Sequence, residues 1–215
     1  VPPPDEGLKP DAAAEEIVDL YARHADAWAE ARGDTLLADE AVHLNRFMSS
    51  LPVGGEVLDL GCGSGRPIAA TLIGRGFRVT GVDASPGLID LCRAGFPEQA
   101  WIVADMRRLD LGRRFDGLLA WCSAFHLTAE DQEAMAAVYA RHVAPGGRLM
   151  FVGGPRRGVA MGEWMGRPLH HASLDPAEYR EGLERAGFDD VQERVLKPDA
   201  DEGARVWTAR RKTSD

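Results

Sequence analysis

Positive charge is in short supply: 25 lysines and arginines stand against 34 acidic residues, for a net charge of −9. Such a chain offers no counterion-releasing surface for a long nucleic acid, so the expected partner is a small molecule. Cysteine is scarce too. Cys62, Cys92 and Cys122 are odd in number and far apart, which suits neither a disulfide framework nor the close pairs of a zinc site, and a reducing, cytoplasmic setting is expected. No apolar run approaches the about 18 residues that a membrane span requires. The opening VPPPDEGLKP lacks a basic stretch followed by an apolar one, so neither a leader nor a membrane partner is expected. Two nucleotide fingerprints are also missing. Counting six positions from Gly61 reaches Arg66, and from Gly63 reaches Ile68, so the glycine-rich dinucleotide pattern fails. No Gly-Lys-Ser/Thr follows to make a phosphate-cradling loop.

What is present is a chain of 215 residues, 45% of them hydrophobic, enough for one α/β core. The N-terminal segment 11–32 reads as one helix with Ile17, Tyr21, His24 and Trp28 on a single face. A second helix is expected over 35–50, stopped by Leu51-Pro52 and Gly54-Gly55. Short apolar runs near 57–60, 78–82, 101–104, 117–121 and 148–152 then alternate with helices starting near Pro67, Pro86 and Thr128. That alternation builds a right-handed parallel sheet covered on both faces. The stretch 153–173, rich in glycine and proline, reads as an inserted loop over the sheet edge. Asp175, Pro176 and Glu178 form a capping box for a helix ending at Gly187, and strands near 191–196 and 204–210 close the chain. The division expected is a flexible tail (1–10), an N-terminal helical cap (11–52) and a catalytic domain (53–215).

Chemistry concentrates in VLDLGCGSGRP, residues 57–67, where three glycines on alternate positions follow an apolar run. A loop between a strand and a helix, at the carboxyl ends of an open α/β sheet, is where such sheets bind ligands, and the bare backbone admits close approach. LDLGCGSGR resembles the first motif of class I S-adenosylmethionine-dependent methyltransferases. VTGVDAS (79–85), VADMRRL (103–109), FDGLLAWCSAFHL (115–127) and HVAPGGRLMFVGG (142–154) resemble the motifs that follow it, in order. The likeness covers about residues 55–152. LHHASLDPAEYR and the N-terminal YARHADAWAEARGD are similar to additions of small-molecule members of the trans-aconitate methyltransferase type.

The resemblance implies a Rossmann-like, doubly wound α/β sheet of seven strands, mostly parallel with the last antiparallel, plus an N-terminal helical lid. It implies S-adenosylmethionine as cofactor, S-adenosylhomocysteine as product, and metal-independent in-line methyl transfer to a small molecule by a monomer or homodimer. It assigns the cofactor to Gly61, Cys62, Gly63, Asp83, Ala84, Asp105, Met106 and Trp121, with Arg32 toward its carboxylate and Asp59, at the end of the first strand, serving the cofactor by orienting the glycine loop. Asp83 would take the ribose hydroxyls, or cap the turn before Ser85-Pro86. Asp105 would meet the adenine, or pair with Arg107 or Arg108, and Arg32 has Asp34 as its other partner. Tyr21 and Trp28 either line a substrate chamber or dock their helix on the core. Ser123 and Ser173 are further substrate candidates. His126 and His171 are the candidate bases or hydrogen-bond partners, whereas His142 serves a helix end and His24 and His43 pack. Arg156 or Arg157 would meet an anionic acceptor. Ala120-Trp121-Cys122-Ser123 stands where enzymes that methylate a base nitrogen carry an Asn/Asp-Pro-Pro-Tyr/Phe run. A non-catalytic binder of the cofactor or its product is the alternative.

Overall fold

The computed structural model describes residues 10–196 and 203–213; the proline-rich start, read as a tail, lies almost wholly outside them. Helices α1 (Pro10–Arg23), α2 (Ala25–Arg32) and α3 (Ala38–Ser49) lead into β1 (Glu56–Leu60), α4 (Ile68–Gly74), β2 (Arg78–Asp83), α5 (Pro86–Gly95) and β3 (Ala100–Val103). There follow β4 (Phe115–Ala120), α6 (Ala129–His142), β5 (Val143–Gly153), β6 (Gly158–Trp164), β7 (Arg167–Ser173), α7 (Pro176–Arg185), β8 (Phe188–Val195) and β9 (Arg205–Arg211). Seven strands form one sheet in the order β3-β2-β1-β4-β5-β9-β8. All pairings among the first five are parallel, and β9 is antiparallel to both its neighbours. This is the expected Rossmann-like arrangement.

The continuous apolar runs of β1 and β4 follow from burial on both faces. Leu58, Leu60, Leu118 and Ala120 face a layer completed by α6 and α7, through residues such as Met135 and Leu183. Val57 and Leu119 face the other layer, where Leu44 and Phe47 of α3 join Leu72 of α4 and Ile89 of α5. From β1 the chain winds outward through β2 and β3 on one side, and through β4 and β5 on the other. The crevice at the carboxyl ends of β1 and β4 is therefore the topological switch point.

Three expectations need correction. The helix expected over 11–32 breaks at His24 (φ −124°, ψ 29°) into α1 and α2. The strand expected over 148–152 begins at Val143 and runs through Pro145-Gly146-Gly147. The inserted loop is a β-hairpin: β6 pairs antiparallel with β7, Trp164 opposite Arg167. Met165 and Gly166 between them have φ of 52° and 71°, the left-handed pair of a two-residue hairpin turn. Because β6 is almost wholly exposed, it carries no apolar alternation by which a strand is read. The capping box at α7 forms as expected, Asp175 Oδ1 accepting from Ala177 N (3.1 Å) and Glu178 Oε2 from Asp175 N (2.7 Å).

Candidate functional site

The loop after β1 is pinned from beneath, with Gly61 N and Cys62 N both donating to Val82 O (2.7 and 3.1 Å). Gly61 and Gly63 have φ of 72° and 57°. What comes close to them is first of all the protein itself. A Cβ on Gly61 would lie 2.3 Å from Ser123 Cβ, and one on Gly63 would lie 2.5 Å from the Trp28 ring. The loop thus gathers α2 and the tip of β4 around a bare backbone. Under it, the Cys62 and Cys92 thiols both donate to Gly63 O (3.7 and 3.1 Å). The neighbouring Cys92 thiol, then burial, push the Cys62 thiol up.

Asp83 ends β2 and has two backbone partners: Oδ2 accepts from Gly63 N (3.0 Å) and Oδ1 from Ser85 N (2.9 Å). The turn reading of Asp83 is therefore realised, while the α5 cap itself is the Ser85 hydroxyl, accepting from Leu88 N (3.4 Å). Burial raises the Asp83 carboxyl, against the pull of those backbone N–H groups. Asp59 lies beneath the loop, 2% exposed, and its Oδ2 has no partner among the described residues. Burial, then the charge of Asp83, push it up to about 7.

Over the ends of β1 to β4 opens a cavity of about 420 Å³, within the range of small-molecule sites. Gly61, Gly63, Asp83, Ala84, Asp105 and Met106 line it on the sheet side, and Tyr21, Trp28 and Arg32 close it from α1 and α2. Arg107 grips Asp105 through Nε and Nη2 (2.9 and 2.7 Å to Oδ2) and reaches Asp131 with Nη1 (3.0 Å). Burial raises Asp105, but the bonds and charge of Arg107 outweigh it and hold the carboxyl below the usual range. Arg32 donates from Nη2 to Glu40 Oε1 (2.6 Å). Asp34, its expected partner, instead lies 3.5 Å from Arg66.

Four sequence-predicted residues stand away from the cavity wall. Asp59 and Cys62 are under the loop. Trp121 is 6% exposed and donates its indole N–H to Glu40 Oε1 (3.1 Å). Ser173 is buried in the hairpin base, where its hydroxyl accepts from Gly154 N (2.8 Å) and donates to Leu174 O (3.1 Å); it faces no ligand space. Ser123 does line the cavity and donates to Leu60 O (2.7 Å). Arg157 is engaged by Glu133 and Glu178, which also line a smaller cavity of about 240 Å³ between α6 and α7.

The histidines converge. His126, in the short 3-10 turn after β4, has Nδ1 2.8 Å from His170 O. A carbonyl only accepts, so Nδ1 carries the hydrogen and the Nε2 lone pair takes the Tyr21 hydroxyl at 3.0 Å. Burial above all pushes His126 down to about 4, helped by His171 and His170 and opposed by the bond to His170 O. Burial, then Asp83 and Cys122, lift Tyr21 to about 12. The His171 ring lies 5.0 Å from that of His126, and Trp164 stacks on Tyr21 at 5.6 Å. The hairpin is what delivers His170, His171 and Trp164. His142 is fully buried, its Nδ1 2.8 Å from Val138 O, and His24 abuts Trp164. Sequence reasoning missed Glu40, Asp131 and Cys122. The last two line the cavity, and Cys122 has φ of 50°. Glu40 and Asp131 each left a local trace, as the third residue of a helix, where an acid reads as a cap.

Residues 57–147 match the family described as methyltransferase domain. Among curated proteins, the chain is 29% identical over 131 residues to a dTDP-4-amino-2,3,4,6-tetradeoxy-D-glucose N,N-dimethyltransferase of Saccharopolyspora spinosa, covering 60% of this chain and 51% of that protein. It is 28% identical over 179 residues to an S-adenosyl-L-methionine-dependent Diels–Alderase of Neonectria sp. (strain DH2), covering 74% and 68%. The match to the sugar methyltransferase thus spans about half of that relative's length. Among solved structures, the fold matches the 1,6-didemethyltoxoflavin-N1-methyltransferase of Burkholderia thailandensis, bound to 1,6-didemethyltoxoflavin and S-adenosylhomocysteine. The TM-score is 0.69 at 24% identity, over 98% of this chain and 94% of that one.

Proposed function

We propose that this chain, whose residues 57–147 match a methyltransferase-domain family, transfers a methyl group from S-adenosylmethionine to a small-molecule acceptor in a reducing compartment. The observation that carries the reading is Asp83, at the tip of β2, lining the same cavity as the bare backbone of Gly61 and Gly63. That set fits the cofactor: a carboxylate for a sugar diol, a main chain without side chains beside it, and Met106 with Asp105 at the next strand end for the base. When bound, the cofactor supplies a methyl group on a sulfonium, whose positive charge is discharged on transfer. The chain's own work is then mostly alignment, worth effective molarities on the order of 10⁵–10⁸ M.

Tyr21 and Trp28 close the acceptor space from above. His126 is the candidate base by way of Tyr21: the Tyr21 hydroxyl, which donates to Nε2, would pass its proton to that nitrogen as it takes one from an acceptor hydroxyl or amine. A neutral imidazole in so apolar a setting avoids repelling a sulfonium. His171 stands beside it as a second polar wall.

A second reading is supported by the match to a Diels–Alderase over 74% of the chain: a cyclisation in which the cofactor is held without giving up its methyl. Methyl-labelled cofactor separates the two. Incubated with amino-sugar nucleotides, phenols and polyunsaturated acceptors, the protein is expected to move label into product. Binding of S-adenosylhomocysteine with conversion of a polyene and no label transfer favours the cyclase, and absence of adenosyl-ligand binding overturns both.

A further inference from the structure

Glu40 is a buried carboxylate that the chemistry above does not use, and all its partners are donors. Its Oε2 accepts from Leu37 N (2.9 Å), closing the first turn of α3. Its Oε1 accepts both Arg32 Nη2 (2.6 Å) and Trp121 Nε1 (3.1 Å). One side chain thereby joins the end of α2, the start of α3 and the tip of β4, just before the stretch that lines the cavity. The Glu40 side chain is 9% exposed and that of Arg32 22%. Burying such a pair contributes little net stability compared with apolar residues of similar size, so stability alone does not account for it.

The arrangement does account for where Arg32 points. Gly33, φ 68°, ends α2 immediately after it, leaving a long, entropy-rich side chain at a helix terminus. Glu40 fixes that guanidinium against the cavity wall beside Trp28 and Gly63. Its hydrogen bond uses one of the five N–H donors of a guanidinium, and the remaining fork suits a second carboxylate.

We propose that Glu40, braced by Trp121, is a positioning residue that holds Arg32 in place to receive the carboxylate of the cofactor's amino-acid tail. The proposal rests on the cofactor reading above. It also gives Trp121 a part in cofactor binding, exerted through Glu40 rather than by contact.

The test compares S-adenosylhomocysteine with 5′-methylthioadenosine, which keeps the nucleoside and lacks the amino-acid tail, by titration calorimetry. Glu40→Gln keeps the shape but removes the charge paired with the guanidinium, and its one accepting oxygen meets three converging N–H donors, so the hold on Arg32 is weakened. The expected result is about a tenfold weaker Kd for S-adenosylhomocysteine with the value for 5′-methylthioadenosine unchanged. Glu40→Gln added to Arg32→Gln should cause no further loss. Glu40→Asp, which retains the charge at shorter reach, should lie between and serves the same comparison if the glutamine variant does not fold. Equal weakening of both ligands, no weakening of either, or losses that add to those of Arg32→Gln overturn the proposal. Failure of the unsubstituted protein to bind either ligand overturns the cofactor reading itself.

Discussion

Asp83 holds the Gly63 and Ser85 amides and still borders the cavity, so its removal acts twice: it deletes an acceptor for a ligand and loosens the loop the ligand rests on. For Asp83→Ala we expect about a hundredfold loss of S-adenosylhomocysteine affinity, roughly 3 kcal/mol, measured by calorimetry. An unchanged heat and Kd would remove Asp83 from the site. At this scale the sequence was informative wherever a role depends on near neighbours. Gly61, Gly63 and Asp83 occupy a strand–loop–helix motif whose geometry is local. Glu40, Trp121 and Ser173 were misread or passed over because their partners are set by folding: Trp121 meets Glu40 across 81 positions of chain, which no spacing rule encodes.

The elements that differ most from expectation are those at the mouth of the site. The hairpin β6–β7 folds its end back so that His170 and His171 reach His126, and Gln132 of α6 secures it. Gln132 Nε2 donates to Leu127 O (3.0 Å) and Ala172 O (2.9 Å), while its Oε1 accepts from the Tyr179 hydroxyl. Replacing it by leucine takes a donor from two carbonyls and an acceptor from the buried Tyr179 hydroxyl. Gln132→Leu is expected to cost about 2–4 kcal/mol in urea unfolding, with faster amide exchange confined first to 170–174. A loss below about 0.5 kcal/mol would mean that the hairpin is held by its other contacts, such as Arg167 to Glu16 (2.7 Å). The break at His24 has a similar origin. The apolar face of 11–32 is continuous in sequence, yet Trp28 must drop onto Gly63 while Tyr21 reaches His126, and a kinked path serves both.

For the molecule as a whole, two buried groups set opposing dependences of stability on pH. His126 has its folded pKa lowered from 6.5 to about 4. Its unfolded state therefore binds more protons across that window, and stability is lost as pH falls through it, by roughly 3 kcal/mol at the acid limit. Asp59 is raised from 3.8 to about 7. There the folded state binds more protons, and stability is lost as pH rises through the same region, by roughly 4 kcal/mol. The two slopes largely cancel in the native chain. Asp59→Asn removes one of them: relative to the native protein it should gain stability as pH rises from about 4 to 7, and its own unfolding free energy should fall steeply on acidification. A stability difference between the two proteins that stays constant over this range would show that Asp59 is not protonated in the fold.

The sequence by itself determined the sheet, its parallel strands, the glycine loop and the acids at strand ends, because those follow from apolar periodicity and from backbone geometry over a few residues. Tertiary structure alone decided which side chains share the cavity, which of them reach it and which only brace it. Those outcomes depend on contacts between segments far apart in the chain, and on exposed strands that bury too little apolar surface to mark themselves in the pattern.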